Sequence, residues 1–227
     1  MPRQLSRGDE ALTGRQPVWD LPVRLVHWLL AGLIGFSWWS VKNHHIDWHI
    51  WSGVAILTLL IFRFLWGFVG SSTARWTGFV RGPGAVIAYL RGRWGGTGHT
   101  PLGALSVLAM FGAVAVQVGL GLFNEDEDGL YAGPLAGLVR VDTSDTIRGI
   151  HEFWFEYVLV ALIALHLAAI LFYRLRGRGL TWPMISGRGP ASEPMKPGKW
   201  WAALLCLAIA VGIARWVVAG APFGFGR

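Results

Sequence analysis

IHEFWFEYVLVALIALHLAAILFY, residues Ile150–Tyr173, is the segment from which the architecture of this 227-residue chain follows. It is apolar and long enough to cross a bilayer as one helix. It carries His151 and His166, which an α-helix would place about 22 Å apart along its axis and about 60° apart around it. An imidazole inside a membrane is costly unless it has a partner, so both histidines mark a candidate functional site.

The composition is that of a polytopic membrane protein. Hydrophobic residues make up 53% of the chain and charged residues 15%, and the mean hydropathy is +0.46; a soluble domain rarely combines these values. The single cysteine, Cys206, excludes an internal disulfide and a cysteine-based metal or iron–sulfur site. The net charge of +7 does not indicate nucleic acid, because the basic residues cluster between apolar segments.

Four further apolar segments have the length of a transmembrane helix, so the sequence predicts an all-α integral membrane bundle of five helices. The predicted spans are Leu21–Val41, Trp48–Val69, Pro101–Phe123, Ile150–Tyr173 and Lys199–Ala219. Residues 1–16 are predicted to form a disordered cytoplasmic tail. Gly70–Thr100 is a long connection with a possible short interfacial helix at GAVIAYLRG, and Asn124–Ile147 is a polar connection that begins with an acidic run.

The basic residues predict the orientation. With the N-terminus inside, fourteen of the 20 lysines and arginines lie in or beside the tail, Gly70–Thr100 and Arg174–Lys199. Five lie in the segments on the other side, and Arg63 lies within the second span. Because positive residues favour the cytoplasmic side, the N-terminus is predicted to be cytoplasmic and the C-terminus periplasmic.

Four of the seven histidines lie within or at the edge of predicted spans, and their depths pair. We call His27 and His166 the inner pair, and His49 and His151 the outer pair, after the predicted side of the membrane. Two imidazoles from facing helices can provide the axial ligands of one haem iron. Two such sites at different depths would give electrons a path from one surface to the other.

Other interpretations of the histidines are open. A single histidine at a membrane edge is most often an interfacial residue, and histidines within spans also occur in proton or metal transporters. Transport is less favoured because few carboxylates accompany the imidazoles; Glu152 and Glu156 lie near one end only. His44, His45 and His99 are expected to face solvent.

The chain resembles the bacterial cytochrome b561 family, specifically the branch that includes the cytochrome b subunits of nickel–iron hydrogenases. The similar segments, in order, are VWDLPVRLVHW, HIWSG, RFLWGFVGSSTARW, GHTPLGALSVLAM and RGIHEFWFEYVLVALIALH. They cover about residues 17–188, and the fifth span is similar to that of five-span members. Within these motifs, the resemblance implies that His27, His49, His151 and His166 are the haem ligands.

The resemblance implies a four-helix dihaem core over residues 17–188, followed by a connector and a fifth transmembrane helix over 189–227. It implies two b haems, a location in the bacterial inner membrane, and electron exchange between quinone and a redox partner. That partner would be a periplasmic cytochrome c or a hydrogenase-like subunit. The alternatives are a superoxide oxidase that passes electrons to quinone, or a haem-free transporter or membrane anchor. Whether the protein is only an electron carrier or a quinone-coupled oxidoreductase stays open.

Three arginines are candidates to neutralise haem propionates. Arg63 would lie within about 40° of the face of His49 and about 21 Å deeper, at the level of the inner pair. A buried guanidinium needs an anion, although Arg63 could instead extend to the inner surface. Arg24 and Arg148 each precede a predicted ligand by three residues. For Arg24, anchoring at the cytoplasmic surface is the simpler account.

Overall fold

The computed structural model describes residues 16–79, 82–93, 101–126, 128–189 and 194–221. Five of its helices are long and apolar enough to cross a membrane, which confirms the predicted all-α bundle. Most of the predicted tail, residues 1–15, and His99 lie outside the described residues.

The five membrane-length helices agree with four of the predicted spans to within two residues and extend the fourth. The helices are α1 Leu21–Lys42, α2 Ile46–Val69, α3 Trp76–Phe79, α4 Pro83–Leu90, α5 Pro101–Leu122, α6 Val141–Phe153, α7 Val160–Leu175, α8 Thr181–Ser186 and α9 Trp200–Val218. A π-helical segment, Trp154–Leu159, joins α6 to α7, and a 3₁₀ turn spans Ala136–Leu138. The short helix expected within Gly70–Thr100 is α4.

The fourth span is longer than predicted and is not a uniform α-helix. Helix starts at Val141, inside the segment that was predicted to be a polar connection, and continues to Leu175. The amphipathic sequence VDTSDTIRGI explains the error, since its polar residues obscure a helix that packs on one face only. The Ser144 side chain is buried and its hydroxyl donates to the Phe123 carbonyl at 2.9 Å, which fixes this extension against the end of α5.

The start of α1 is tied to the end of α2. Asp20 is the N-cap of α1 and accepts a hydrogen bond from the Val23 amide at 2.7 Å, as capping carboxylates do. Its second oxygen accepts from the Trp66 indole N–H at 2.9 Å. Both Asp20 and Trp66 are buried, so this polar contact fixes the relative height of the two helices.

A two-residue antiparallel ladder closes the same end of the bundle. β1 (Gln16–Pro17) pairs with β2 (Arg188–Gly189), with Gln16 opposite Gly189. The predicted domain boundaries at 16/17 and 188/189 therefore both fall inside one ladder. It joins the segment before α1 to the segment before α9.

Helix α2 lies at the centre of the packing. On one side, Val26 of α1, Phe62 and Trp66 of α2, and Cys206 and Ala210 of α9 form one buried cluster. The fifth span therefore packs on the first two helices. A second cluster joins α2 to α5 and the π segment, and its buried members are Ile56, Leu60, Ala113, Val114, Val118 and Leu159.

Candidate functional site

The structure brings the four span histidines together in the two predicted pairs. The imidazole centroids of the inner pair, His27 and His166, are 6.4 Å apart. Those of the outer pair, His49 and His151, are 6.1 Å apart, with the ring planes at 89°. Helix α1 contributes to the inner pair and α2 to the outer pair. The α6–π–α7 helix contributes one histidine to each.

The π segment changes how the two histidines of the fourth span are aligned. A π turn takes up about one residue more than an α turn. The fifteen residue steps from His151 to His166 therefore rotate the chain by about 1,400° instead of about 1,500°. The direction of His166 around the helix axis is therefore about 40° short of that of His151 after four full turns. In a uniform α-helix it would be about 60° beyond. His151 and His166 can therefore both face the interior of the bundle, as expected, but the angle between them has the opposite sign.

In the outer pair, both histidines are held by helix backbone. The Nδ1 atom of His49 lies 3.1 Å from the Ser37 carbonyl and 2.9 Å from the Ser37 hydroxyl, both on α1. The Nδ1 atom of His151 lies 3.1 Å from the Gln117 carbonyl on α5. A carbonyl can only accept, so each Nδ1 carries the proton in these bonds. Each Nε2 then carries the lone pair, and at His151 this lone pair accepts from the Gln117 side-chain amide at 3.0 Å.

Helix α5 also approaches the His151 ring directly. A Cβ atom on Gly121 would lie 3.1 Å from Cε1 of His151, closer than side chains normally pack. The side-chain nitrogen of Gln117 lies 3.0 Å from Nε2 of the same ring. Although α5 has no histidine of its own, it forms one wall of the outer pair.

The inner pair has a different environment. Nδ1 of His27 is buried and has no hydrogen-bond partner among the described residues. The ring packs edge-on against Trp28, with centroids 4.9 Å apart. Both outer imidazoles therefore have backbone acceptors at Nδ1, whereas the His27 imidazole has an aromatic neighbour and no acceptor at Nδ1 among the described residues.

His44 and His45 lie outside both pairs. His44 is exposed and has a positive φ of 60° in the turn between α1 and α2. His45 is the N-cap residue of α2, and its ring stacks on Trp48 at 4.5 Å. The expected exposure of both is confirmed.

The family model for prokaryotic cytochrome b561 matches residues 18–187, which is three quarters of the chain and includes all four paired histidines. The chain belongs to the prokaryotic cytochrome b561 family. It is accordingly a multi-pass membrane protein, a b-type cytochrome of electron transfer that uses b-type haem. No curated protein and no solved structure matches the sequence.

The paired histidines of this cytochrome b561 fit bis-histidine ligation of haem iron. Imidazole nitrogens bind first-row metal ions at about 2.0–2.1 Å, so two on opposite sides of one ion are about 4 Å apart and their ring centroids about 6 Å apart. The observed centroid distances, 6.4 Å and 6.1 Å, agree with this spacing. The hydrogen bonds at Nδ1 of the outer pair are those that metal-bound histidines commonly make.

Open space adjoins the histidines. Gly53 lies one helical turn after His49, and a Cβ atom there would meet no atom within 4 Å. Helix α7, which carries His166, has no buried residue. The fourth span as a whole has only 6% of its most apolar window buried, the lowest value of the five. The helix shared by both pairs is therefore only loosely covered by protein side chains.

The three candidate arginines have partners within the chain. Arg63 is buried, so it does not extend to solvent, and its guanidinium lies 4.7 Å from the centre of the Trp76 ring. The Asp20 carboxylate acts on it electrostatically. Arg24 donates to the Ile185 carbonyl, and Arg148 lies 3.5 Å from the Asp145 carboxylate. A role of these arginines toward haem propionates stays a prediction.

Several residues of the site were not assigned from the sequence. Gln117 stands out as the strongly polar residue of an apolar span, which was the available signal, but nothing in the sequence indicates that it faces His151. Ser37 gives no signal, because nothing in the sequence places its hydroxyl and its carbonyl against His49 on the next helix. Tyr89 of α4 and Tyr173 of α7 join by their hydroxyls at 2.7 Å, a contact between residues 84 positions apart that spacing alone cannot show.

Proposed function

We propose that this cytochrome b561 binds two b haems, one at each histidine pair, and carries electrons across the bacterial inner membrane. The single observation that supports this most strongly is the presence of two facing imidazole pairs at two depths of one bundle, sharing the fourth span. A single pair would bind one haem near one membrane surface. Two pairs on a common helix extend the path of the electrons towards both surfaces.

The chain's own residues have defined parts in this proposal. His27 and His166 would hold one haem iron and His49 and His151 the other, and helix backbone at Nδ1 orients both imidazoles of the outer pair. The haem iron supplies reversible one-electron chemistry, whose potential depends on the ligands and on their surroundings. The apolar clusters on either side of α2 make the interior of the bundle around that helix apolar.

The proposed orientation has the N-terminus in the cytoplasm and the C-terminus in the periplasm, from the distribution of lysine and arginine. The inner pair then lies towards the cytoplasm. The Asp20–Trp66 contact, the two-residue ladder and the Tyr89–Tyr173 contact lie on that side. The acidic residues Glu125 and Asp126 lie on the periplasmic side.

The proposed electron partners are quinone within the membrane and a periplasmic redox protein, either a cytochrome c or a hydrogenase-like subunit. Support for a periplasmic partner comes from the acidic turn after α5. Its backbone is ordered by a bond from the Tyr131 amide to Asp126 at 3.0 Å, and it holds Glu125 and Asp128 nearby. Fixed negative charge speeds encounter with a basic partner.

Haem stoichiometry and quinol reduction test this function. The purified protein is expected to show the reduced α band of a b-type cytochrome and two haems per chain by pyridine haemochrome assay. A soluble quinol analogue should reduce both haems anaerobically. A colourless protein, or one haem per chain, would contradict the two-site proposal, and haems that no quinol reduces would contradict the quinone link alone.

A further inference from the structure

The two histidine pairs differ in the hydrogen-bond partners of the imidazole Nδ1 atoms. At the outer pair, Nδ1–H of His49 meets two acceptors on Ser37, the carbonyl at 3.1 Å and the hydroxyl at 2.9 Å. The Ser37 carbonyl also accepts from the Ser40 hydroxyl at 2.8 Å. Ser37 and Ser40 are both buried, so water does not compete for these bonds.

The second outer histidine is held in the same way from another helix. Nδ1–H of His151 donates to the Gln117 carbonyl at 3.1 Å. Each outer histidine thus has a main-chain carbonyl acceptor on a transmembrane helix, Ser37 on α1 and Gln117 on α5, and His49 has the Ser37 hydroxyl as well. Helix backbone is rigid, so these bonds fix the tautomer and the ring orientation together.

The inner pair lacks such a bond at His27. Its Nδ1 is buried without a hydrogen-bond partner in the part of the chain that the structure describes. The two histidine pairs of one molecule therefore differ in their hydrogen bonds at Nδ1. Two outer imidazoles are polarised by backbone acceptors, whereas at least one inner imidazole is not.

We infer that Ser37 and Gln117 are positioning residues which make the outer haem the lower-potential site of the two; this inference rests on the proposed function. An oxygen that accepts from Nδ1–H, whether the carbonyl or the hydroxyl of Ser37 or the carbonyl of Gln117, makes the imidazole a more basic ligand. A more basic ligand stabilises ferric over ferrous iron and lowers the midpoint potential, since second-sphere hydrogen bonds and axial ligands tune it.

The consequence is a downhill direction for internal transfer. With haem bound at both pairs, one electron would leave the site held by His49 and His151, which is oxidised, and enter the site held by His27 and His166, which is reduced, with no proton or other group transferred. Electrons delivered on the periplasmic side would then pass downhill towards the cytoplasmic side. The chain then favours delivery of electrons from a periplasmic donor over the reverse.

An optical redox titration of the dihaem protein tests the inference. The His27→Ala variant, which is expected to keep only the outer haem, shows which of the two titration waves of the wild-type protein belongs to which haem. The wild-type protein is expected to titrate with the outer haem below the inner one. Ser37→Ala removes the nearer of the two acceptors at His49, so the outer midpoint should rise. A three- to tenfold change in its reduction equilibrium is expected, about 30–60 mV for one electron. The inner midpoint should not move.

Two variants separate this effect from a general loss of packing. Ser37→Thr keeps a hydroxyl and should restore the wild-type midpoint. Ser52→Ala is the matched control: Ser52 is also buried and lies one turn from His49, but its hydroxyl donates to the His49 carbonyl at 2.8 Å and not to the ring. It should leave both midpoints unchanged.

The inference is overturned if the outer haem has the higher midpoint, if Ser37→Ala moves neither wave, or if Ser52→Ala moves the outer wave as much. Loss of the outer haem alone in Ser37→Ala, with retention in Ser37→Thr, would support the positioning role. These outcomes presuppose two bound haems. If no haem binds, the proposed function itself fails, and the haem count shows which of the two has failed.

Discussion

Replacing His27 by alanine is expected to remove the inner haem and leave the outer one, so that the haem content falls from two per chain to one. The reason is the pairing in space: His27 on α1 faces His166, His49 on α2 faces His151, and neither His27 nor His166 contributes to the outer pair. Haem content and the reduced-minus-oxidised spectrum of the purified variant measure the result.

The four single variants together test the pairing itself. His27→Ala and His166→Ala should retain the same haem, with one identical spectrum and midpoint. His49→Ala and His151→Ala should both retain the other. If His27→Ala instead left the same haem as His49→Ala, the pairing would be wrong.

His44→Ala and His45→Ala are the histidine controls, and both should keep two haems. His44 is exposed in a turn, and His45 stacks on Trp48 and Trp39 instead of facing the bundle. Loss of a haem in either variant would move a ligand assignment from His49 into that turn.

Inserting one alanine between Leu162 and Ile163 is expected to remove one haem, whereas deleting Glu156 is expected to keep both. The insertion rotates His166 by about 100° relative to His151. The helix already accommodates one extra residue in its π segment, so we do not expect it to accommodate a second one. Deleting Glu156 removes that extra residue. The segment Trp154–Leu159 can then become α-helical with the two histidines in their present relation. Haem content of both variants is the measurement.

Contacts on both sides of the π segment explain why it is retained. Upstream, the Trp154 indole donates to the Ala113 carbonyl at 3.0 Å and fixes the His151 side against α5. Downstream, Leu159 is 1% exposed in the second core cluster and Tyr173 meets Tyr89. The matched control is deletion of Gly32 in α1, an exposed position between His27 and Ser37 with no π turn nearby; it should cost a haem. If deleting Glu156 cost a haem while deleting Gly32 did not, the register argument would be refuted.

The membrane architecture could be predicted because its signals are local. Each span is a run of apolar residues, and Pro22 together with Asp20 marks the start of α1 by known capping chemistry. The pairing of the histidines could also be anticipated, since depth in a membrane helix follows directly from residue number once the orientation of each span is assigned.

The remaining features depend on tertiary contacts that leave little trace in the sequence. The π segment adds one residue to a helix without any glycine or proline to mark it. The bonds at Nδ1 of the outer histidines use carbonyl groups, which every residue has. Arg63 could be recognised as buried, but its position over Trp76 arises only when α3 folds back on α2. The predicted fourth span begins later than the observed helix, because the first turns of that helix are polar and pack on one face only.

Electron transfer across a sealed membrane tests the central claim most directly. The protein is reconstituted into liposomes that contain ferricyanide, and dithionite, which is impermeant, is added outside. Two sites at two depths predict that the wild-type protein reduces the enclosed ferricyanide, while His27→Ala and His49→Ala both fall to the rate of protein-free liposomes. Transfer at the wild-type rate by a variant that holds a single haem would contradict the account.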